Sequence, residues 1–179
     1  MKWLKALVLL LMLGSGPALA ELQVFTDGDV LGLMPDAPPS AFIERLGPPT
    51  VELPLRQGRS GLLYGNSLLL VFEGERLREV RCWLVPQFTD ELFLGWLQDV
   101  EREGKPEGFV VDRYLRLGIS REEASRVLAG LEGDGDERSD LRMKNGRQLW
   151  LGYGAAPDYS AGDDAGQQVL VSISVLYGG

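Results

Sequence analysis

One pattern runs through this chain twice, and few folds can accommodate it. A Leu-Gly step leads into a short helix, and the helix leads into alternating strands joined by tight turns. Leu31-Gly32-Leu33-Met34 opens the first copy and Leu117-Gly118-Ile119-Ser120 opens the second. In the first, Asp36 is placed to cap a helix through Ala41-Phe42-Ile43-Glu44-Arg45-Leu46. Gly47-Pro48-Pro49 stops it, because glycine suits a left-handed C-cap and proline cannot extend a helix. In the second, Ser120 and Glu123 make a capping box, Val127, Leu128 and Leu131 supply an apolar stripe, and Gly130 and Gly133 end it.

Strands follow each helix. The first copy predicts Leu62–Tyr64, then Gly65-Asn66, Ser67–Phe72, a Glu73-Gly74-Glu75-Arg76 turn, and Leu77–Leu84. The second predicts Asp140–Met143, then Lys144-Asn145-Gly146, Arg147–Tyr153, a longer loop to Gly166, and Val169–Leu176. Asn-Gly between alternating runs is a strong hairpin signal, since both turn residues must adopt positive φ. Leu70 aligns with Leu151, Phe72 with Tyr153 and Val80 with Ile173. One longer helix, 90–103, separates the copies. Leu92, Phe93, Trp96, Leu97 and Val100 fall on one side of it, with Trp96 read as core.

Successive strand residues point to opposite faces, so each half has one buried row and one open row. Leu68, Leu70, Phe72, Val80, Cys82 and Leu84 make the inner row of the first half. Leu149, Leu151, Tyr153, Ile173 and Val175 make that of the second. The opposite face then carries Glu79, Arg81, Trp83, Trp150, Ser172 and Ser174, with Leu69 and Val71. The expected fold class is α+β: two similar units, each with short helices on one face of an antiparallel sheet, forming one continuous curved sheet. The first unit spans 21–85; the second spans 86–179 and includes the helix 90–103.

The N-terminus has the three parts of a cleaved export signal. Lys2 and Lys5 are followed by an apolar run from Ala6 to Leu13 and by Ala18-Leu19-Ala20. The run is too short to span a bilayer, which takes about 20 apolar residues. Residues 1–20 therefore read as a signal peptide cleaved after Ala20, with Glu21 where a lipoprotein would need cysteine. That places the protein in the periplasm or outside the cell, with no membrane insertion after cleavage.

Charge and side-chain chemistry narrow the function. The chain holds 26 acidic and 18 basic residues for a formal charge of −8, and losing Lys2 and Lys5 makes it more negative. Nucleic acid is excluded as a partner, because phosphate binding needs clustered cations. The absence of histidine removes Ser-His-Asp triads, Cys-His dyads and histidine metal sites together. Cys82, alone in the chain, cannot form an intramolecular bridge and reads as a buried structural thiol. No catalytic residue, cofactor or metal ligand is assigned, and the chain is read as a non-enzyme. The acidic loops 132–140 and 155–166 are expected to be solvated; calcium is the alternative they leave open, although Arg138 stands at the fifth position counted from Asp134.

Leu-Gly-Leu/Ile, a short helix, Leu-Gly-Pro-Pro, then Tyr-Gly and Leu-Val-Phe-Glu-Gly-Glu-Arg-Leu resembles the unit shared by the β-lactamase inhibitor proteins and the SmpA/OmlA outer-membrane assembly lipoproteins. Val30–Trp83 carries the better match and Leu115–Val175 a looser one. The resemblance implies two helix-plus-sheet units whose concave sheet holds a partner protein. It does not carry the inhibitors' disulfides, their acidic hairpin tip (here the neutral Gly65-Asn66), or the lipoproteins' anchoring cysteine. The expectation is a periplasmic protein-binding module, an inhibitor or immunity-type protein. Its partner would be another exported protein, an enzyme or a toxin. The alternatives are an envelope-assembly factor and a small-ligand binder. The partner-binding residues expected are Trp83, Arg81, Glu79, Trp150, Ser172 and Ser174, with the tryptophans and arginine as anchors.

Overall fold

The computed structural model describes residues 22–86, 93–95, 97, 100, 108–155 and 168–178. The described strands are β1 (Gln23–Val24), β2 (Val51–Pro54), β3 (Arg59–Tyr64), β4 (Leu68–Glu73), β5 (Arg76–Trp83), β6 (Val110–Val111), β7 (Leu115–Arg116), β8 (Gly133–Gly135), β9 (Ser139–Lys144), β10 (Arg147–Ala155) and β11 (Gln168–Leu176). The helices are α1 (Pro39–Leu46) and α2 (Arg121–Val127). The class is α+β, with a large antiparallel sheet and few short helices.

Eight strands form one sheet in the order β2-β3-β4-β5-β11-β10-β9-β8, while β1, β6 and β7 form a small second sheet. β2 to β5 make one meander and β8 to β11 another. The two meet where β5 pairs antiparallel with β11, Val80 opposite Val175 and Cys82 opposite Ile173. In the first meander Leu70 faces Val80 and Phe72 faces Leu77, with a register shift between Val71 and Phe72. In the second, Leu151 faces Ile173 and Tyr153 faces Leu170, with a shift between Gly152 and Tyr153. An extra residue therefore enters β5 and β11 at corresponding places.

The hairpin at Asn145-Gly146 forms as its sequence demands, with φ of 51° and 72° joining β9 to β10. At α1 the outcome differs from expectation. The helix starts after Pro38, with Pro39 in its first turn and no side chain capping it, so Asp36 does not cap. Proline has no N–H to satisfy there and a φ already set for helix, which lessens the need for a cap. Gly47 closes α1 at φ 87°, its N–H donating to the Ile43 carbonyl. At α2, Ser120 Oγ accepts from the Glu123 N–H at 3.1 Å. Leu131 lies beyond this helix but still packs on the core. Of the expected helix 90–103, Phe93–Gly95 and Leu97 are helical and Val100 is a bend, while Leu92 and Trp96 lie outside the described residues.

The inner rows pack together except at Leu84, which is half-buried, lies past the end of β5 and is not part of the cluster. Leu68, Leu70, Phe72, Val80, Cys82, Leu149, Leu151, Tyr153, Ile173 and Val175 belong to one cluster, closed over by Phe42, Ala124, Leu128 and Phe109. Phe42 meets Phe72 edge-on with ring centroids 5.5 Å apart, a favoured aromatic geometry. The boundary at 85/86 thus divides elements of one sheet and one shared core.

A second cluster lies on the opposite face. Leu63, Leu69, Val71 and Trp83 pack with Leu97, and Leu53, Leu55 and Phe93 lie against them. The open row expected along the first half is therefore covered at Leu69, Val71 and Trp83, while Glu79 and Arg81 stay half-buried. The physical reason is composition: that half carries Leu and Val on both faces of β4, whose burial favours a lid on each side.

Candidate functional site

The outer face is built by register. Directly opposed residues on neighbouring antiparallel strands share a face. One row therefore crosses from Leu69 to Arg81, Ser174, Trp150, Leu141 and Asp134. A second row runs from Trp83 to Ser172, Gly152 and Ser139. Glu79 lies on the same face, opposite Leu176, and accepts from Arg81 Nε at 2.6 Å. All six residues singled out from the sequence thus share this face.

They do not share an environment. Trp83 is 2 % exposed and belongs to the second core cluster, which corrects the expectation that it stands open. Leu97 packs with it in the same cluster, a neighbour that strand alternation alone cannot reveal. Trp150 is 47 % exposed, and Met143 on the adjacent strand is 38 % exposed. Ser174 is buried, while Ser172 and Arg81 are half-buried.

Between the two indoles lies a depression of about 120 Å³. Trp83, Trp150 and Arg81 line it together with Ser139, Gly152, Ser172 and Ser174. Ser139 and Gly152 were not among the sequence-predicted residues. Gly152 carried a signal, since glycine inside a strand marks a bulge or a close approach. No family model, curated protein or solved structure matches this chain. What it does must be argued from this geometry.

Two polar clusters on the inner side have structural duties. Asp140, 4 % exposed, accepts from the Tyr153 hydroxyl at 3.1 Å and lies 3.4 Å from the Arg142 guanidinium and 3.6 Å from that of Arg121. Arg121 also donates to the Glu137 carbonyl and to Gln168 Oε1, and it covers the Tyr153 ring at 4.6 Å. Burial first, then the Asp140 charge, push the Tyr153 hydroxyl well above its ordinary pKa, so it stays a donor. In the other cluster, Asp112 accepts from Thr26 N and Oγ1 at 2.8 Å each and pairs with Lys144 at 2.8 Å. Asn145 Nδ2 donates to Thr26 Oγ1, tying the hairpin to β1 and β6.

The acidic run 132–140 is likewise occupied. Asp136 Oδ1 accepts from Arg138 N at 2.7 Å and Ser139 N at 2.8 Å, which hold its carboxyl below the usual range. Residues 133–135 form β8, packed so closely on β9 that a Cβ on Gly135 would meet Asp140 Oδ1 at 2.0 Å. Most of the loop 155–166 lies outside the described residues. Cys82 is buried among apolar side chains, and that burial pushes its thiol far up, away from nucleophile chemistry.

Proposed function

We propose that this chain is an exported, non-catalytic protein-binding module made of two inhibitor-like units. It would act in the periplasm after cleavage at Ala20, blocking or escorting another exported protein such as an enzyme or toxin. One observation carries the reading. The outer sheet face holds a half-exposed indole, Trp150, flanked by exposed Met143 and by short Ser and Gly side chains, on a rigid antiparallel scaffold. Exposed aromatics on a fixed backbone are the residues that dominate protein interfaces, since they bury much area at little entropic cost.

Matching register in the two meanders supports the same reading. Leu70 opposite Val80 and Leu151 opposite Ile173 occupy matching register, and each pair is followed by the same one-residue shift. A bulge at one corresponding place in both meanders is what two copies of one unit would retain. The two meanders differ where it matters for binding. The first copy's outer face is capped by Leu97 and Phe93, whereas Trp150 stands open in the second.

The test is capture from a periplasmic extract by the mature chain and by Trp150→Ala, whose fold is checked by circular dichroism. Stoichiometric recovery of one partner by the native chain and its loss with the variant is expected. Equal recovery by both forms, or none by either, refutes the reading.

A further inference from the structure

We propose that the surface around Trp150 selects a basic segment of its partner, seating a lysine or arginine over the exposed indole. This rests on the protein-binding reading above and names the chemistry of the same site. The first argument is the charge layout of the face. From β5 to β8 the outer rows are filled by Leu176, Ser172, Ser174, Gln148, Trp150, Gly152, Met143, Leu141 and Ser139, none of them charged. The charged positions in those rows are Glu79, Arg81 and Asp134. Arg81 is the cation of the set and is already paired with Glu79 at 2.6 Å. At the far side Asp134 stands opposite Leu141, and the turn beyond it exposes Asp136 and Glu137 against Arg138 and the half-buried Arg121, which is bound to their carbonyls. The indole is thus bordered by a neutralised pair on one flank and by a net acidic edge on the other.

The second argument is the chain as a whole. At a formal −8 it repels acidic partners and attracts basic ones at long range. The third is the indole itself. A tryptophan face is the best side-chain acceptor for a cation, and a partly desolvated one gains more than one in open water. Trp150 is 47 % exposed, so part of its ring is free for a visiting group. A long cationic side chain suits such a surface twice over, laying its methylenes on Leu141 and Met143 while its charge sits over the indole within the field of the acidic edge.

The experiment uses the mature chain and three synthetic peptides of about fifteen residues: one with about five lysines, its lysine-acetylated form, and a glutamate-for-lysine form. Binding is followed by calorimetry. The lysine peptide should bind, with the other two at least about tenfold weaker, and its affinity should fall about tenfold between low and moderately high salt. Trp150→Ala should weaken it several-fold and Trp150→Phe much less, because phenylalanine keeps an aromatic face. Failure of the lysine peptide to bind, equal binding of the acetylated form, or equal binding to Trp150→Ala would each overturn the proposal. The two levels separate cleanly. A natural partner captured through Trp150 that proves acidic or salt-insensitive sinks the basic selection and leaves the docking surface standing. Capture indifferent to Trp150 removes the surface itself.

Discussion

Replacing Asp140 with alanine tests how the second half is held together. Its carboxylate is 4 % exposed and serves three groups: the Tyr153 hydroxyl, Arg142 and Arg121. Breaking a fully buried ion pair costs about 3–5 kcal/mol. Here the two arginine side chains keep 24 % and 30 % of their exposure, so water partly replaces the lost anion and the cost falls. Loss of the Tyr153–Asp140 hydrogen bond adds roughly 1–2 kcal/mol, because a largely buried donor loses an acceptor it holds in the fold. Arg121 keeps its bonds to Gln168 and the Glu137 carbonyl, which limits the damage. The sum is about 3 kcal/mol, a large share of a typical 5–15 kcal/mol. For a chain of this size that lowers Tm by roughly 6–12 °C. Urea unfolding of Asp140→Ala, Tyr153→Phe and the double variant measures both the cost and the coupling. Coupling of about 1 kcal/mol is expected between groups in direct contact. A single-variant loss under about 0.5 kcal/mol, or strict additivity, would show that this cluster is solvated and carries no weight.

Three further outcomes follow from the geometry. Trp83→Ala should cost about 3–5 kcal/mol by opening a cavity in the second cluster, whereas Trp150→Ala should cost less than about 1 kcal/mol; denaturant midpoints measured in parallel would refute the assignment if the order reversed. Cys82 should resist a thiol reagent in the native state and react at the rate of unfolding, so rapid stoichiometric labelling under native conditions would contradict its burial. Asp136 has a carboxyl held low in the folded chain by Arg138 N and Ser139 N. Its stabilising contribution is therefore fully present above the unfolded aspartate pKa and is lost as pH falls through the folded one. Carboxyl chemical-shift titration should find Asp136 below an unstructured aspartate, and an ordinary value would remove that turn from the account.

How legible the fold was depended on whether local pattern or distant packing decided each element. Period-two alternation was enough for the inner rows, because Leu70, Phe72, Leu151 and Tyr153 fall in one phase and share one core cluster. The Asn145-Gly146 turn and the Ser120 cap were legible for the same local reason. β1, β6 and β7, two residues each, are too short to carry any periodicity, and Pro54 weakens the strand signal of the four-residue β2. The site was half legible. Alternation put Trp83 and Trp150 on one face correctly, but Leu97, which buries the first, comes from a segment whose docking no strand pattern encodes. Asp140 looked like part of a solvated acidic run, since its partners Arg121, Arg142 and Tyr153 meet it only after β9, β10 and α2 assemble.

The β5–β11 pairing has a consequence for how such a molecule is made. β5 is complete at Trp83, yet the strand that flanks it does not begin until Gln168. During synthesis the first meander waits with the far edge of β5 unpaired. Such pairings between distant segments form slowly and leave sticky intermediates exposed. A nonsense mutation just before residue 168 would thus remove the middle of the eight-stranded sheet rather than its margin. It would release a fragment in which β5 and β10 both lack the neighbour that β11 supplies, and such open edges invite aggregation.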